Sequence, residues 1–103
     1  MKYVFHPEAL TEYTEAVQYY AEHRVELAQA FIDAVEDAIY RIRESPTRCR
    51  IVSEDIRRCL TRKFPYGILY TIDQDYILIL AVMHCSREPG YWRSRVEQKP
   101  PEV

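Results

Sequence analysis

Apolar residues recur at helical spacing through the first half of the chain. The first apolar stripe consists of Leu10, Tyr13, Val17 and Tyr20. Pro7 suits the first turn of this helix, and the pattern predicts its end near His23 and Arg24. A second stripe runs through residues 28–42 and stops at Ser45 and Pro46, because the residue before a proline is disfavoured in the α conformation. Two long helices joined by so few residues are predicted to pack as an antiparallel hairpin.

The remaining apolar residues follow strand patterns instead. The predicted strands are residues 3–5, 56–63, 67–72 and 76–84. Residues 73–75 read as a tight hairpin turn, and residues 47–55 read as a polar connection. Residues 77–82 are apolar at every position, which is typical of a central strand that is covered on both faces.

The predicted element order is β-α-α-β-β-β, followed by a short helix or ordered arm in residues 88–95. This order indicates an α+β fold in which one helical hairpin packs on a small, mostly antiparallel sheet. The length of 103 residues fits one domain, which we assign to residues 1–96, followed by a flexible tail in residues 97–103.

Composition restricts the class of protein further. No apolar run approaches the roughly 18 residues of a membrane span, and the N-terminus lacks a secretory apolar segment, so we expect a cytoplasmic protein without a membrane anchor. Cys49, Cys59 and Cys85 form neither a CxxC pair nor a zinc-like spacing, so reduced thiols are expected. We expect no metal and no cofactor.

Charge is distributed unevenly although the net charge is only −2. Acidic side chains predominate in residues 1–44, whereas arginine predominates in residues 45–63 and returns in the tail. One part of the surface is therefore expected to be locally positive, with an ordinary mixed surface as the alternative. The acidic helical positions are predicted to form a solvated face; they include Glu12, Glu15, Glu22 and Glu26.

Polar and aromatic side chains gather where the last predicted strand ends. Metal-free cleavage of RNA needs a base for the 2′-hydroxyl and cations for the phosphate charge. His84 could supply the base, Arg87 a phosphate clamp, and Tyr91 a platform on which a base stacks. The other cations assigned to this face are Arg57, Arg58, Arg62 and Lys63. Alternatively, His84 only forms hydrogen bonds at the strand end, and Trp92 pins the tail to the sheet.

Taken together, these motifs resemble the RelE/ParE superfamily of type II toxin–antitoxin toxins, the plasmid stabilization proteins. The resemblance covers nearly the whole chain. It is carried by the first strand with Pro7 and Ala9, Ala28-x-x-Phe31, Ser45-Pro46, Arg57 or Arg58, Phe64-Pro65-Tyr66, Ile68-x-Tyr70, Ile77-x-Ile79-x-x-Val82-x-His84 and Arg87-Glu88-Pro89-x-x-Trp92-x-x-Arg95.

The resemblance implies a growth-inhibiting toxin that a cognate antitoxin neutralises. ParE-like members of the superfamily inhibit DNA gyrase, whereas RelE-like members are endoribonucleases that cleave mRNA on the ribosome. The acidic net charge and the His84-x-x-Arg87-x-Pro89 ending are closer to the ParE-like branch. On the RelE-like alternative the chain would be an enzyme, with His84, Arg87, Tyr91, Arg57, Arg58 and Lys63 as catalytic residues. A third hypothesis is a degenerate member that binds its antitoxin without being toxic.

The same resemblance suggests how the antitoxin binds. Antitoxins of the superfamily lay a helix and an extended strand across the toxin, so an apolar groove and an exposed sheet edge are expected. We predict that Tyr19 and Tyr20, with an edge strand near Ile56 to Leu60, form this surface, and that Trp92 contributes to it. The assembly would be a homodimer or a toxin–antitoxin hetero-oligomer.

Overall fold

The computed structural model describes residues 1–97 and places a pair of helices on one face of a five-stranded sheet. The helices are α1 (Pro7–His23) and α2 (Val25–Glu44). The strands are β1 (Lys2–Phe5), β2 (Arg50–Ser53), β3 (Ile56–Leu60), β4 (Tyr66–Ile72) and β5 (Tyr76–His84). A 3-10 helix at Arg93–Val96 follows the last strand, so the expectation of a short helix in this region is confirmed.

Local signals mark the start of α1, the break between the two helices and the end of α2, where Ser45 precedes Pro46. At the start of α1, the His6 imidazole Nδ1 accepts a hydrogen bond from the Glu8 backbone N–H at 3.1 Å, with Pro7 at the first helical position. Arg24 is fully extended (φ −159°, ψ 139°) and is the only residue between the helices. This confirms the predicted hairpin.

The sheet has the order β1-β5-β4-β3-β2. The first strand pairs parallel to β5, with Lys2 opposite Tyr76 and Phe5 opposite Ile79. The three other pairs are antiparallel. The α+β class and the mostly antiparallel sheet are therefore confirmed.

Both faces of the sheet are covered, as the uninterrupted apolar run in β5 predicts. The helices cover one face, where Phe31 and Val35 of α2 pack against Ile68 of β4 and Ile79 of β5. On the opposite face, Trp92 packs in a second cluster with buried residues of three strands, among them Ile56, Leu69, Leu78 and Leu80. The predicted role of Trp92 as a packing residue is thus confirmed.

The second strand, β2, was not predicted, because residues 47–55 read as a polar connection. A turn through Glu54, which has a positive φ of 50°, folds Arg50–Ser53 back on β3. Its side chains are mostly exposed, so burial imposes no alternating pattern on the sequence. The prediction that Ile56–Leu60 is an edge strand is therefore wrong, since β2 occupies the edge.

No helix within residues 1–97 combines the length and apolar character needed to cross a membrane. Most of the tail predicted for residues 97–103 lies outside the described residues, which end at Glu97.

We predict that Phe31→Ala destabilises the fold by about 3–5 kcal/mol, the usual cost of truncating a buried phenylalanine. Phe31 is fully buried and its ring lies 4.9 Å from the Tyr66 ring and 5.1 Å from the Tyr20 ring. Urea unfolding measures the loss. Tyr40→Ala on the same helix is the control, since Tyr40 is 61% exposed. An equal loss in both variants would contradict this account of the core.

Candidate functional site

The candidate site begins where β5 extends beyond the end of its neighbour β1. The parallel pairing ends with the His6 N–H donating to the Ile79 carbonyl at 2.8 Å, after which the chain turns into α1. The backbone of β5 beyond Ile79 therefore needs other partners on this side. The Glu12 carboxylate of α1 accepts a hydrogen bond from the Val82 N–H at 3.0 Å. The Arg95 guanidinium donates a hydrogen bond to the Leu80 carbonyl at 3.0 Å. Two side chains thus replace the missing strand.

The Glu12 carboxylate is also the centre of an ionic network. The Arg95 guanidinium donates to both of its oxygens, at 2.9 and 3.0 Å. The Tyr91 hydroxyl donates to Oε2 at 2.7 Å. The Glu12 side chain is only 14% exposed and that of Arg95 only 8%. Charge-assisted, two-point pairing of this kind is among the strongest hydrogen bonding in proteins.

The network fixes Tyr91 in its protonated form. Burial and the hydrogen bond to the Glu12 carboxylate both raise the pKa of Tyr91 well above its usual value of 10. The Arg87 guanidinium lies 3.8 Å from the centre of the Tyr91 ring, in cation–π contact. Since its hydroxyl is engaged and a guanidinium covers its ring, Tyr91 is not placed to stack on an RNA base.

An open groove of about 220 Å³ runs between α1 and the end of β5. Its lining residues include Glu12, Glu15, Tyr19, Tyr66, His84 and Arg87. The groove brings His84 and Arg87 together, as the sequence suggested. It also adds Tyr66, which is paired with His84 across β4 and β5.

His84 forms hydrogen bonds at the strand end. Its Nδ1 accepts from the Ser86 backbone N–H at 3.0 Å and lies 2.7 Å from the Ser86 hydroxyl. An Nδ1 that accepts a hydrogen bond places the proton of a neutral imidazole on Nε2. The ring nitrogen that carries a lone pair is therefore already occupied, which argues against a general-base role.

The other predicted catalytic cations lie apart from His84. Arg57 is on the helix side of β3, where it donates to the carbonyls of Thr47 at 2.8 Å and Cys49 at 2.7 Å. Arg58 points to the opposite face, because successive residues of a strand alternate. Lys63 lies exposed in the turn between β3 and β4 with a positive φ of 69°. The six predicted catalytic residues do not form one centre.

A second cavity, of about 160 Å³, lies on the sheet face opposite the helices. Arg58, Arg87 and Arg93 line it together with apolar side chains that include Val52, Leu69 and Met83. Within residues 1–97, no carboxylate pairs with any of the three arginines. We call this site the arginine cavity.

Gly67 shapes the floor of the arginine cavity. A Cβ atom at Gly67 would lie 3.1 Å from both Cγ and Cδ of Arg58, so glycine allows the arginine stem to lie flat across β4. Sequence reasoning missed both Gly67 and Arg93. The signal available for Arg93 was its place beside Trp92 in the aromatic and basic tail.

The residues predicted to bind a partner differ in accessibility. Tyr19 is 56% exposed on α1 and Leu60 is 50% exposed on β3, whereas Ile56 and Trp92 are each 3% exposed. Tyr20 is half-buried, with its ring 5.2 Å from that of Phe64. Of the predicted set, Tyr19 and Leu60 are the most accessible, and partner binding by the set stays a prediction.

Glu12 is the residue that sequence reasoning assigned wrongly. It was grouped with the solvated acidic positions of α1, but it is buried against β5 and the C-terminal segment. Helical periodicity places Glu12 at the border of the apolar stripe. It does not reveal that an arginine 83 residues later meets it.

Comparison with known proteins gives one family match. The model of the family described as "ParE toxin of type II toxin-antitoxin system, parDE" matches residues 3–89. No curated protein matches the chain significantly. A solved structure of a chromosomal ParDE toxin–antitoxin system from P. aeruginosa is similar, with a TM-score of 0.71 and 11% sequence identity. The alignment covers 82% of this chain and 95% of that one. At this identity the structural match establishes the fold alone.

We predict that Glu12→Ala lowers the free energy of unfolding by about 3 kcal/mol, because it leaves the buried Arg95 guanidinium with only the exposed Glu8 carboxylate, 3.8 Å away, as counter-charge. Chemical denaturation followed by circular dichroism measures the change. Glu15→Ala is the matched control on the same helix and groove, and as an exposed residue it should change stability by at most about 0.5 kcal/mol. Equal effects of the two substitutions would show that the network does not hold α1 to the sheet.

Proposed function

The chain belongs to the ParE toxin family of type II toxin–antitoxin systems, and we propose that it inhibits DNA gyrase in the cytoplasm and is neutralised by a cognate antitoxin. The observation that carries the proposal is the family match across residues 3–89, which includes both helices and, apart from Lys2, the five strands. On this proposal the toxin acts by binding another protein and is not an enzyme.

The arrangement of the candidate residues also favours gyrase inhibition over ribonuclease activity. Cleavage of RNA without a metal needs a base and cations within reach of one phosphate. Arg57 and Arg58 lie on opposite faces of β3, and Nδ1 of His84 is engaged by Ser86. Tyr91 is held by Glu12 and covered by Arg87.

The arginine cavity is compatible with both alternatives. It gathers three guanidinium groups that lack carboxylate partners within residues 1–97, and such a group of cations can bind a phosphate or the acidic side chains of a protein target. Because the family match favours a ParE toxin, we propose this cavity as the surface that contacts gyrase.

For the antitoxin we propose two contact regions. The first is the unpaired side of β2, where an extended segment could add a sixth strand. Ile51 and Val52 are 49% and 37% exposed there, and the exposed Arg48 and Arg50 precede them. The second is the α1 groove beside Tyr19. Exposed apolar residues that follow exposed cations suit an antitoxin segment that carries both acidic and apolar side chains.

We predict that the purified chain blocks supercoiling of relaxed plasmid by gyrase, and that its expression without antitoxin arrests growth with an SOS response. Cleavage of mRNA within codons, with supercoiling unaffected, would instead identify a ribonuclease. Normal growth despite folded, abundant protein would indicate the non-toxic alternative.

A charge-reversal pair tests the arginine cavity within this proposal. Arg58→Glu combined with Arg87→Glu should weaken inhibition of gyrase roughly tenfold or more, since repulsion replaces attraction at a contact surface. Arg24→Glu with Arg43→Glu is the control, because it makes the same change in net charge at exposed positions, one between the helices and one in α2. Equal inhibition by both folded double variants would exclude the cavity as the gyrase-binding surface.

We predict that Ile51→Ser combined with Val52→Ser weakens antitoxin binding at least tenfold, about 1.4 kcal/mol. Titration calorimetry with the antitoxin measures the loss, and the unfolding transition of the variant checks that the fold is retained. Tyr40→Ser, which removes an exposed apolar side chain of α2, is the control. Unchanged affinity of the β2 variant would place the antitoxin elsewhere.

A further inference from the structure

Two of the three cysteines face one another across a pair of strands. In the antiparallel pairing of β2 with β3, Arg50 lies opposite Arg58 and Ile51 lies opposite Arg57. Cys49 directly precedes β2, and one further step in this register would place it opposite Cys59; both cysteines belong to the helix-side core. The Cys49 thiol is close enough to contribute to the raised pKa of Cys59. Residues directly opposite in an antiparallel pair have Cα atoms about 4.5–5.5 Å apart, a separation that a disulfide can span.

The surroundings of the two thiols differ in a way that suits oxidation. Cys59 is 3% exposed, beneath α2, where the Arg41 guanidinium lies 3.5 Å from its sulfur. Cys49 is half-buried at the start of β2, so a small oxidant can reach it more readily. Cys85 is exposed beyond the end of β5, and it lines the arginine cavity instead.

We propose that Cys49 and Cys59 are a redox modification site, at which hydrogen peroxide converts the two thiols into a reversible intramolecular disulfide. The Cys49 thiolate attacks one peroxide oxygen and the O–O bond breaks, which gives a sulfenic acid and, with one proton, water. The Cys59 sulfur then attacks the Cys49 sulfur, and its proton leaves with the hydroxyl group as a second water. Two thiols are oxidised, and one peroxide is reduced to two waters.

The division of roles follows from burial. Desolvation raises the pKa of Cys59 to about 12, so Cys59 stays a thiol until the sulfenic acid forms beside it. The neighbouring Arg41 stabilises negative charge on the Cys59 sulfur as that sulfur attacks. Cys49 is therefore the residue that reacts with peroxide, and Cys59 is the residue that resolves the product.

The disulfide would fix β2 covalently to β3. Since β3 is the only strand within residues 1–97 that pairs with β2, this pairing is what holds Arg50–Ser53 in place. A crosslink that closes a loop of this size should raise the melting temperature of the oxidised chain by roughly 10 °C. Reduction with dithiothreitol should reverse the shift.

Mass spectrometry of the full chain tests the proposal. After treatment with hydrogen peroxide and alkylation under denaturing conditions, the expected product is a monomer that has lost two hydrogens and carries one alkyl group, on Cys85. Digestion with trypsin should join the dipeptide Cys49-Arg50 to the peptide of residues 59–62.

Variants separate this site from general thiol oxidation. Cys85→Ser should still form the bond and show the melting shift, whereas Cys49→Ser should lose both and should leave Cys59 open to alkylation. Disulfide-linked dimers through Cys85 as the only crosslinked product would overturn the proposal. Full alkylation of Cys49 and Cys59 at a peroxide dose that oxidises Cys85 would overturn it as well.

Discussion

The difference in length between β1 and β5 is the constraint on which the rest of this structure depends. The first strand ends at Phe5, opposite Ile79, while β5 continues to His84. A buried strand cannot leave its backbone groups without partners, since each unpaired group costs about 1–3 kcal/mol. Glu12 and Arg95 supply those partners and pair with each other. One carboxylate thereby ties together α1, β5 and the C-terminal segment.

The position of the candidate site follows from the pairing of Glu12 with Arg95. Arg95 holds the end of the C-terminal segment, so Trp92 is kept on the second face of the sheet. Tyr91 binds Glu12 through its hydroxyl and carries Arg87 over its ring. Arg87 thus reaches both the α1 groove and the arginine cavity. The side chains at the end of β5 thus hold one exposed cation, Arg87, in place.

Much of the fold could be predicted from the sequence, because burial leaves periodic patterns. The α2 stripe and the unbroken apolar run of β5 face a packed core, and both were placed correctly. The strand β2 leaves no such pattern, since three of its four side chains are exposed. Its turn depends on a positive φ at Glu54, which is not a residue typical of that conformation.

The candidate site was less predictable for a related reason. His84 and Arg87 are close in sequence, so their proximity could be inferred. The partners of Glu12 are 70 to 83 residues away, and no local spacing reports such contacts. Arg57 and Arg58 were grouped by charge alone, and the alternation of a strand separated them.

The parallel pairing of β1 with β5 has a consequence for the order of events during synthesis. Lys2–Phe5 is translated well before Tyr76–His84, which is its only neighbour in the sheet within residues 1–97. Both helices have emerged once residue 44 has left the ribosome, and their mutual contacts are local and form fast. The apolar face of the hairpin stays uncovered until β4 and β5 follow, because the core residues of α2 pack on those strands. A protein that recognises this face can bind the chain before the sheet forms, and one that needs the completed sheet must wait until residue 84 has emerged.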